Sequence, residues 1–314
     1  MNIIFFGSGE FAVSSLKALL YSQHKILCVV TRPDRKKGRG LHLGATAVKE
    51  LAGEFRLKVY QPEKINNAQA IKFLKDLKPD LFIVISYGQI LSQEVLEIPK
   101  IFAINAHASL LPKYRGAAPI NWSLINGDTQ TGITVIKMTP DMDAGPVMLQ
   151  KKVDVAEQET ALTLTDKLSQ AAADSLVEVL PLIENNNYRL QAQDEDKVSF
   201  APKLKKEDGL IDWSRDARGI CNLIRGCLVW PGAFTYYKDK LLKIYRAESR
   251  RVETHKSRRI YGQIIEVSGE GIIVATGKDD LIIEELQIEG KRRMGAQEFI
   301  RGHKLSTGEI FAKK

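Results

Sequence analysis

The chain is poor in cysteine. It has three in 314 residues, Cys28, Cys221 and Cys227. An odd number with no CxxC pair points away from both a disulfide framework and a zinc site. No apolar run approaches the roughly 20 residues that a bilayer span needs. The opening MNIIFFGSGE has no cationic stretch, and its apolar run stops at a glycine, unlike a secretory leader. Together these absences predict a cytoplasmic protein with no membrane segment. There is no heavy charge of one sign either. Lys+Arg 46 against Asp+Glu 38 gives +8, split as +3 over residues 1–189 and +5 over 190–314. Such a surplus suits a polyanionic partner without requiring one. With 44% hydrophobic and 27% charged residues, the composition is that of a globular protein, and the length suggests two domains.

Up to about residue 155, short apolar β-branched runs alternate with amphipathic ones. Residues Ile3 to Phe6, Ile26 to Val30, Leu81 to Ile85, Ile101 to Asn105 and Ile133 to Lys137 read as strands. Helical spacing lies between them near 11–21, 45–55 and 68–77, and again over 162–184. Strands apolar on both faces, separated by helices, predict an α/β fold with a doubly wound, mostly parallel, Rossmann-like sheet. Residues 190–206 are polar and charge-rich and read as a linker. One more helix (214–228) then precedes five strand-like runs between 233 and 288 with Gly- and Asp-rich turns, which suggest a small C-terminal β-barrel of OB-like type. The expected domains are 1–189, catalytic, and 207–314, the barrel.

Gly7-Ser8-Gly9-Glu10-Phe11-Ala12 follows the first strand and fits the dinucleotide pattern G-x-G-x-x-G/A. The second strand ends Val30-Thr31-Arg32 without the acid that would hold a ribose. Glycines also serve any tight strand-to-helix turn, so an NADP-dependent oxidoreductase is a remote reading. The fifth strand is more informative. Asn105 and His107 are two apart and project from one face at its carboxyl end, where open α/β sheets bind ligands. A buried unpaired amide or imidazole costs about 1–3 kcal/mol, so an apolar strand spends two such positions for a reason. The sixth strand runs into Met138-Thr139-Pro140-Asp141-Met142-Asp143-Ala144-Gly145-Pro146, a stiff loop expected beside the fifth. Its Asp143 can pair with His107; Asp141 is the competing acid, better suited to a turn.

The strings NAHASLLPKYRGAAPINW (105–122) and MDAGP (142–146) resemble the folate-dependent formyltransferases. PDRKKGRG (33–40), SYGQIL (86–91) and WPGAF (230–234) extend the resemblance along the whole chain. It is closest to members whose acceptor is the methionyl initiator tRNA. Ser8-Gly9 and Ser86 depart from the usual pattern without touching the candidate catalytic groups. The resemblance implies 10-formyltetrahydrofolate as co-substrate, no metal, and transfer of its formyl group to the α-amine of methionyl-tRNA. It places Ser109, Leu110, Leu111 and Pro112 on the folate, with Tyr87, Gly88 and Ile90 near the pterin. Asn105, His107 and Asp143 suit that chemistry independently: an amine attacking a formyl carbon needs donors for an oxyanion and a route for a proton.

Residues 32–40 hold five cations and one acid. A charge run is often only a solvated loop, but this one leaves the second strand near the candidate site, where cations could grip phosphates. By resemblance Lys37 and Arg39 reach the tRNA, with Arg35, Lys36 and Arg115 beside them. The barrel adds Lys240, Lys243, Arg246, Arg250, Arg251, Lys256, Arg258 and Arg259, and further on Lys291, Arg292 and Arg293, expected as non-specific phosphate contacts. The closest rival reading is a formyltransferase acting on an amino-sugar nucleotide. A non-catalytic tRNA-binding module would leave Asn105, His107 and Asp143 without a purpose. Nothing in the sequence asks for more than a monomer.

Overall fold

A computed structural model describes residues 1–37, 42–252 and 259–312. The elements run β1 (Asn2–Gly7), α1 (Val13–Leu20), β2 (Lys25–Val30), β3 (Arg35–Lys37), β4 (His42–Gly44), α2 (Ala47–Glu54), β5 (Val59–Tyr60), α3 (Ala68–Asp76) and β6 (Leu81–Ile85). Next come α4 (Gln93–Leu96), β7 (Phe102–His107), α5 (Pro119–Ile125), β8 (Gln130–Lys137), β9 (Val147–Asp154) and α6 (Ala161–Glu184). The remainder is α7 (Ala217–Gly226), β10 (Ala233–Tyr237), β11 (Lys240–Arg250), β12 (Ile264–Ser268), β13 (Gly271–Ala275), β14 (Asp280–Ile288), β15 (Met294–Gly295) and α8 (Ala296–His303).

Two compact units result. The first takes residues 1–119, 130–154 and 165–201, and the second takes 120–129, 155–164 and 202–314. The first holds a seven-stranded sheet in the order β5-β2-β1-β6-β7-β8-β9. The pairs β2–β5, β1–β2, β1–β6 and β6–β7 are parallel, whereas β7–β8 and β8–β9 are antiparallel. β1 and β6 are buried almost throughout, as strands covered by helices on both faces must be. The chain turns from one wing of the sheet to the other between β1 and β6, the crevice where such folds place ligands. Thr46 and Asn67 cap α2 and α3 by accepting the backbone N–H groups of Lys49 and Ala70. The basic segment after β2 is in part a hairpin: Arg35, Lys36 and Lys37 of β3 pair with Gly44, Leu43 and His42 of β4.

The second unit carries an antiparallel sheet in the order β10-β11-β14-β13-β12, with β15 alongside β14. Its two edge strands are joined by the segment 308–312. Tyr236 exchanges backbone hydrogen bonds with Ala312, Phe311 donates to Gly262, and Ile264 donates to Glu309. The expected barrel is therefore closed by a segment too short to be read as a strand, and both edges are paired. α7 packs on β11 and β14, burying Ala217, Ile220, Leu223 and Ile224 at helical spacing.

Asp280 on β14 is buried and holds both Arg250, at 3.2 Å, and Arg259. Breaking a buried ion pair from one side leaves a charge uncompensated. Asp280→Ala should lower the stability of the second unit by about 3 kcal/mol. All three tryptophans, Trp122, Trp213 and Trp230, lie in that unit, so urea denaturation followed by tryptophan fluorescence reads it directly. Burial also pushes the Cys28 thiol up to about 11, and those of Cys221 and Cys227 up to about 12. Iodoacetamide at pH 8 should leave all three unmodified in the native protein and alkylate all three after denaturation, counted by mass.

Candidate functional site

Asn105 and His107 share one face of β7, and Asp143 reaches both. Because β8 runs antiparallel to β7, the loop that carries Asp143 starts beside Ala103, whose carbonyl accepts the N–H of Met138 at 2.8 Å. Asn105 Nδ2 donates to Asp143 Oδ1 at 3.3 Å, and His107 Nδ1 lies 3.5 Å from Asp143 Oδ2. The same Oδ2 accepts the backbone N–H of Gly116 at 2.9 Å. The two side chains of the pair are 6% and 13% exposed, so the charge sits largely out of water and its attractions are little screened. Asp143 adopts a left-handed backbone with φ 53°, which aspartate tolerates better than most residues. Asp141 is exposed and its side chain is not part of the cluster.

His107 is held from its other side as well. Nε2 lies 2.9 Å from the carbonyl of Tyr114. Both ring nitrogens thus face oxygen atoms of the protein. The contact through Nδ1 is the longer of the two, so that nitrogen is the less tightly engaged.

Ser109, Leu110, Leu111 and Pro112 leave β7 as a pinned turn. Ser109 Oγ donates to Lys113 O at 2.5 Å. Thr134 Oγ1 donates to Ser109 O and accepts from Leu111 N–H, and Gln150 Nε2 donates to Leu111 O at 2.7 Å. Gly88 has φ 82° and approaches the Arg32 side chain. Ile90 is 67% exposed. Tyr87 instead turns its ring into the core, edge-on to Phe6, with its hydroxyl bonded to nothing among the described residues; burial pushes that phenol up. The glycine turn after β1 is closed by local partners: Ser8 Oγ donates to Tyr87 O and accepts the N–H of Arg32.

Of the cations expected to meet tRNA, Arg35 is exposed on β3, next to Lys36 and Lys37 in the same strand. Arg39 lies outside the described residues. Arg115 departs from expectation. Its side chain is 7% exposed and its guanidinium is engaged inside the protein. Nε and Nη2 donate to Gln193 Oε1 at 3.0 and 2.8 Å, and Nη1 and Nη2 donate to the two oxygens of Glu195. The hydrogen bonds from Arg115 hold the Glu195 carboxyl below the usual carboxylate range. These partners occupy the guanidinium inside the protein. In the second unit Arg246, Arg292 and Arg293 pair with Glu284, Glu298 and Glu285, so the barrel's cations are partly neutralised at source. Lys240 and Arg251 remain exposed, while Lys256 and Arg258 lie outside the described residues.

Sequence reasoning missed Gln193, Glu195 and Ser199, all in the stretch read as a linker. That stretch has no apolar period, and the only signal available was the need of the loop around Asp143 for donors to its carbonyls. Among the described residues no group of three or more His, Cys, Asp or Glu is placed to hold a metal ion.

Comparison with known proteins places this arrangement in a family. Residues 1–180 match the family model described as formyl transferase, and residues 203–304 match the formyl transferase C-terminal domain. The chain is 43% identical over 314 residues to a methionyl-tRNA formyltransferase of Citrifermentans bemidjiense, covering 100% of this chain and 97% of that one. It is 44% identical over 310 residues to that of Clostridioides difficile, covering 99% of each. The solved N-formyltransferase of Helicobacter canadensis, in complex with folinic acid and dTDP-3-aminofucose, has the same fold, with a TM-score of 0.64 at 18% identity over 90% of this chain and 98% of that one. Some other solved matches are longer chains of which this one spans about half. The chain belongs to the formyl transferase family, in both its N-terminal and its C-terminal domains.

Proposed function

We propose that the protein transfers the formyl group of 10-formyltetrahydrofolate to the α-amine of methionyl initiator tRNA, giving the formylated tRNA used to start translation. The observation that carries this reading is the Asp143 carboxylate meeting Asn105, His107 and the Gly116 N–H together. Near-identical length and 43–44% identity to methionyl-tRNA formyltransferases support this acceptor over an amino-sugar nucleotide.

The chemistry follows from the donors and acceptors present. The amine attacks the formyl carbon, and the carbonyl oxygen becomes an oxyanion. Asn105 gives one N–H to Asp143 and has a second to offer that oxygen, and the Nδ1–H of His107 lies on the same side. The nitrogen of the amine becomes positive and sheds a proton to Asp143. The departing folate nitrogen takes a proton from His107, and the carboxylate returns one to the ring across the 3.5 Å gap. One proton has then moved from amine to folate, and both side chains are back in their starting states. The pinned turn 109–112, with Gly88 and Ile90, would seat the folate. Arg35, Lys36, Lys37 and Arg39 would meet the phosphates near the acceptor end. A monomer in the cytoplasm suffices for all of this.

His107→Ala, Asn105→Ala and Asp143→Asn should each lower kcat/KM about 10²–10³-fold with the melting midpoint little changed, measured with charged initiator tRNA and labelled formyl-folate. Wild-type turnover in all three would remove the site. Lys37→Ala combined with Arg39→Ala should weaken tRNA use and reduce the slope of log affinity against log salt by about one for each phosphate no longer neutralised. In the same assay an amino-sugar nucleotide offered in place of the tRNA should stay unlabelled; labelling of the sugar alone would transfer the reading to that acceptor.

A further inference from the structure

The segment 190–201 is more than a tether. Gln191 exchanges backbone hydrogen bonds with Val147 at the start of β9, at 2.7 and 2.8 Å. Farther along, Arg115 N–H donates to Ser199 O, Ala201 N–H donates to Arg115 O, and Ser199 Oγ accepts the N–H of Tyr114. The strap therefore grips the start of β9 at one end and the 112–118 loop at the other. Between these grips stands Gln193. Its Nε2 donates to the carbonyls of Asp143 at 2.7 Å and Gly145 at 2.8 Å, while its Oε1 accepts twice from Arg115. One carboxamide thus uses both donors on the loop that carries the acid and both lone pairs on the residue preceding Gly116, whose N–H binds that acid.

We infer that Gln193 is a positioning residue for formyl transfer, setting the Asp143 carboxylate against Asn105 and His107 by clamping the Asp143–Gly145 loop to Arg115. Three features of the loop make such a clamp necessary. Asp143 sits at φ 53°, outside the basin that a free loop prefers. The backbone at Gly145 is pressed so close to Lys137 O that a Cβ there would collide with it. The approach to His107 is already long at 3.5 Å, so little further drift of the loop would part the two groups, and misplacement of a catalytic group by about 1 Å can cost 10²-fold in rate. A backbone held at two carbonyls by an amide that is itself locked by an arginine has few ways to drift. Arg115 is buried and is in turn fixed by Glu195, whose side chain is 70% exposed, so the relay runs from the surface carboxylate through the buried guanidinium to the Gln193 amide.

This inference rests on the reaction proposed above. Two variants test it. Gln193→Glu keeps the side-chain length and the partnership with Arg115 but sets a carboxylate, with no donor, against two carbonyls. Gln193→Ala removes the clamp altogether. Lys197→Ala alters an exposed lysine of the same strap, paired with Asp194, and serves as control. With wild type active on methionyl-tRNA in the same assay, both Gln193 variants should lose at least tenfold in kcat, with KM for formyl-folate and for tRNA within threefold of wild type and the Lys197 variant unchanged. Assays run well below each melting midpoint separate this from general loosening. A kcat within tenfold of wild type in Gln193→Glu, or a deficit that disappears on cooling below the midpoint, overturns the inference. An inactive wild type overturns the proposed function instead, and with it the reaction to which Gln193 is assigned.

Discussion

A single carboxylate organises the first unit. Asp143 is only slightly exposed, and a charge so placed must be met by donors or neutralised. It is met from three directions: by an amide on β7, by an imidazole on β7 and by a backbone N–H two residues beyond Tyr114. None of these comes from the acid's own loop. The loops after β7 and β8 must therefore be fixed relative to each other for the acid to keep these three partners. The ladder between residues 112–118 and 199–201 and the bonds from Gln193 to the Asp143 loop provide that restraint.

Much of this was legible in the sequence, for reasons that differ by element. β1 and β6 were legible because strands covered on both faces are apolar without interruption. β9 was missed because its sequence VMLQKKVD alternates along the sheet's edge and reads as surface, and β5 because two residues carry no period. The pairing of β3 with β4 was hidden by the charge of its first strand. Asn105, His107 and Asp143 stood out because polar side chains at the end of an apolar strand and in a proline- and glycine-stiffened loop call for an explanation. Gln193 did not stand out, since a glutamine in a polar stretch looks the same whether it faces water or two carbonyls. Arg115 misled for a related reason: sequence reports that a cation is present, not which way it points.

The charge of the second unit has a similar lesson. Read along the chain, residues 240–259 are a run of cations. In the fold, several meet acids brought in by β12 and β14, such as Glu266, Asp280 and Glu284. Part of the basic character is thus structural, tying strands together across the sheet. The part left for a polyanion is smaller than the composition suggests, and exposed Lys240 and Arg251 belong to it.

The second unit is also not a contiguous stretch of chain. Residues 120–129 and 155–164 belong to it although they arise far upstream. Asn121 donates to Gly226 O at 2.8 Å, Ile125 packs on Gly226 so tightly that no Cβ would fit there, and Arg225 donates to the carbonyls of Ala156 and Glu159. A gene fragment beginning near residue 203 would encode the barrel and α7 without the pieces that finish their packing. Exchange of whole modules between members of the family, by recombination or by a protein engineer, must therefore carry two internal inserts along with the C-terminal half, or leave the α7 face bare.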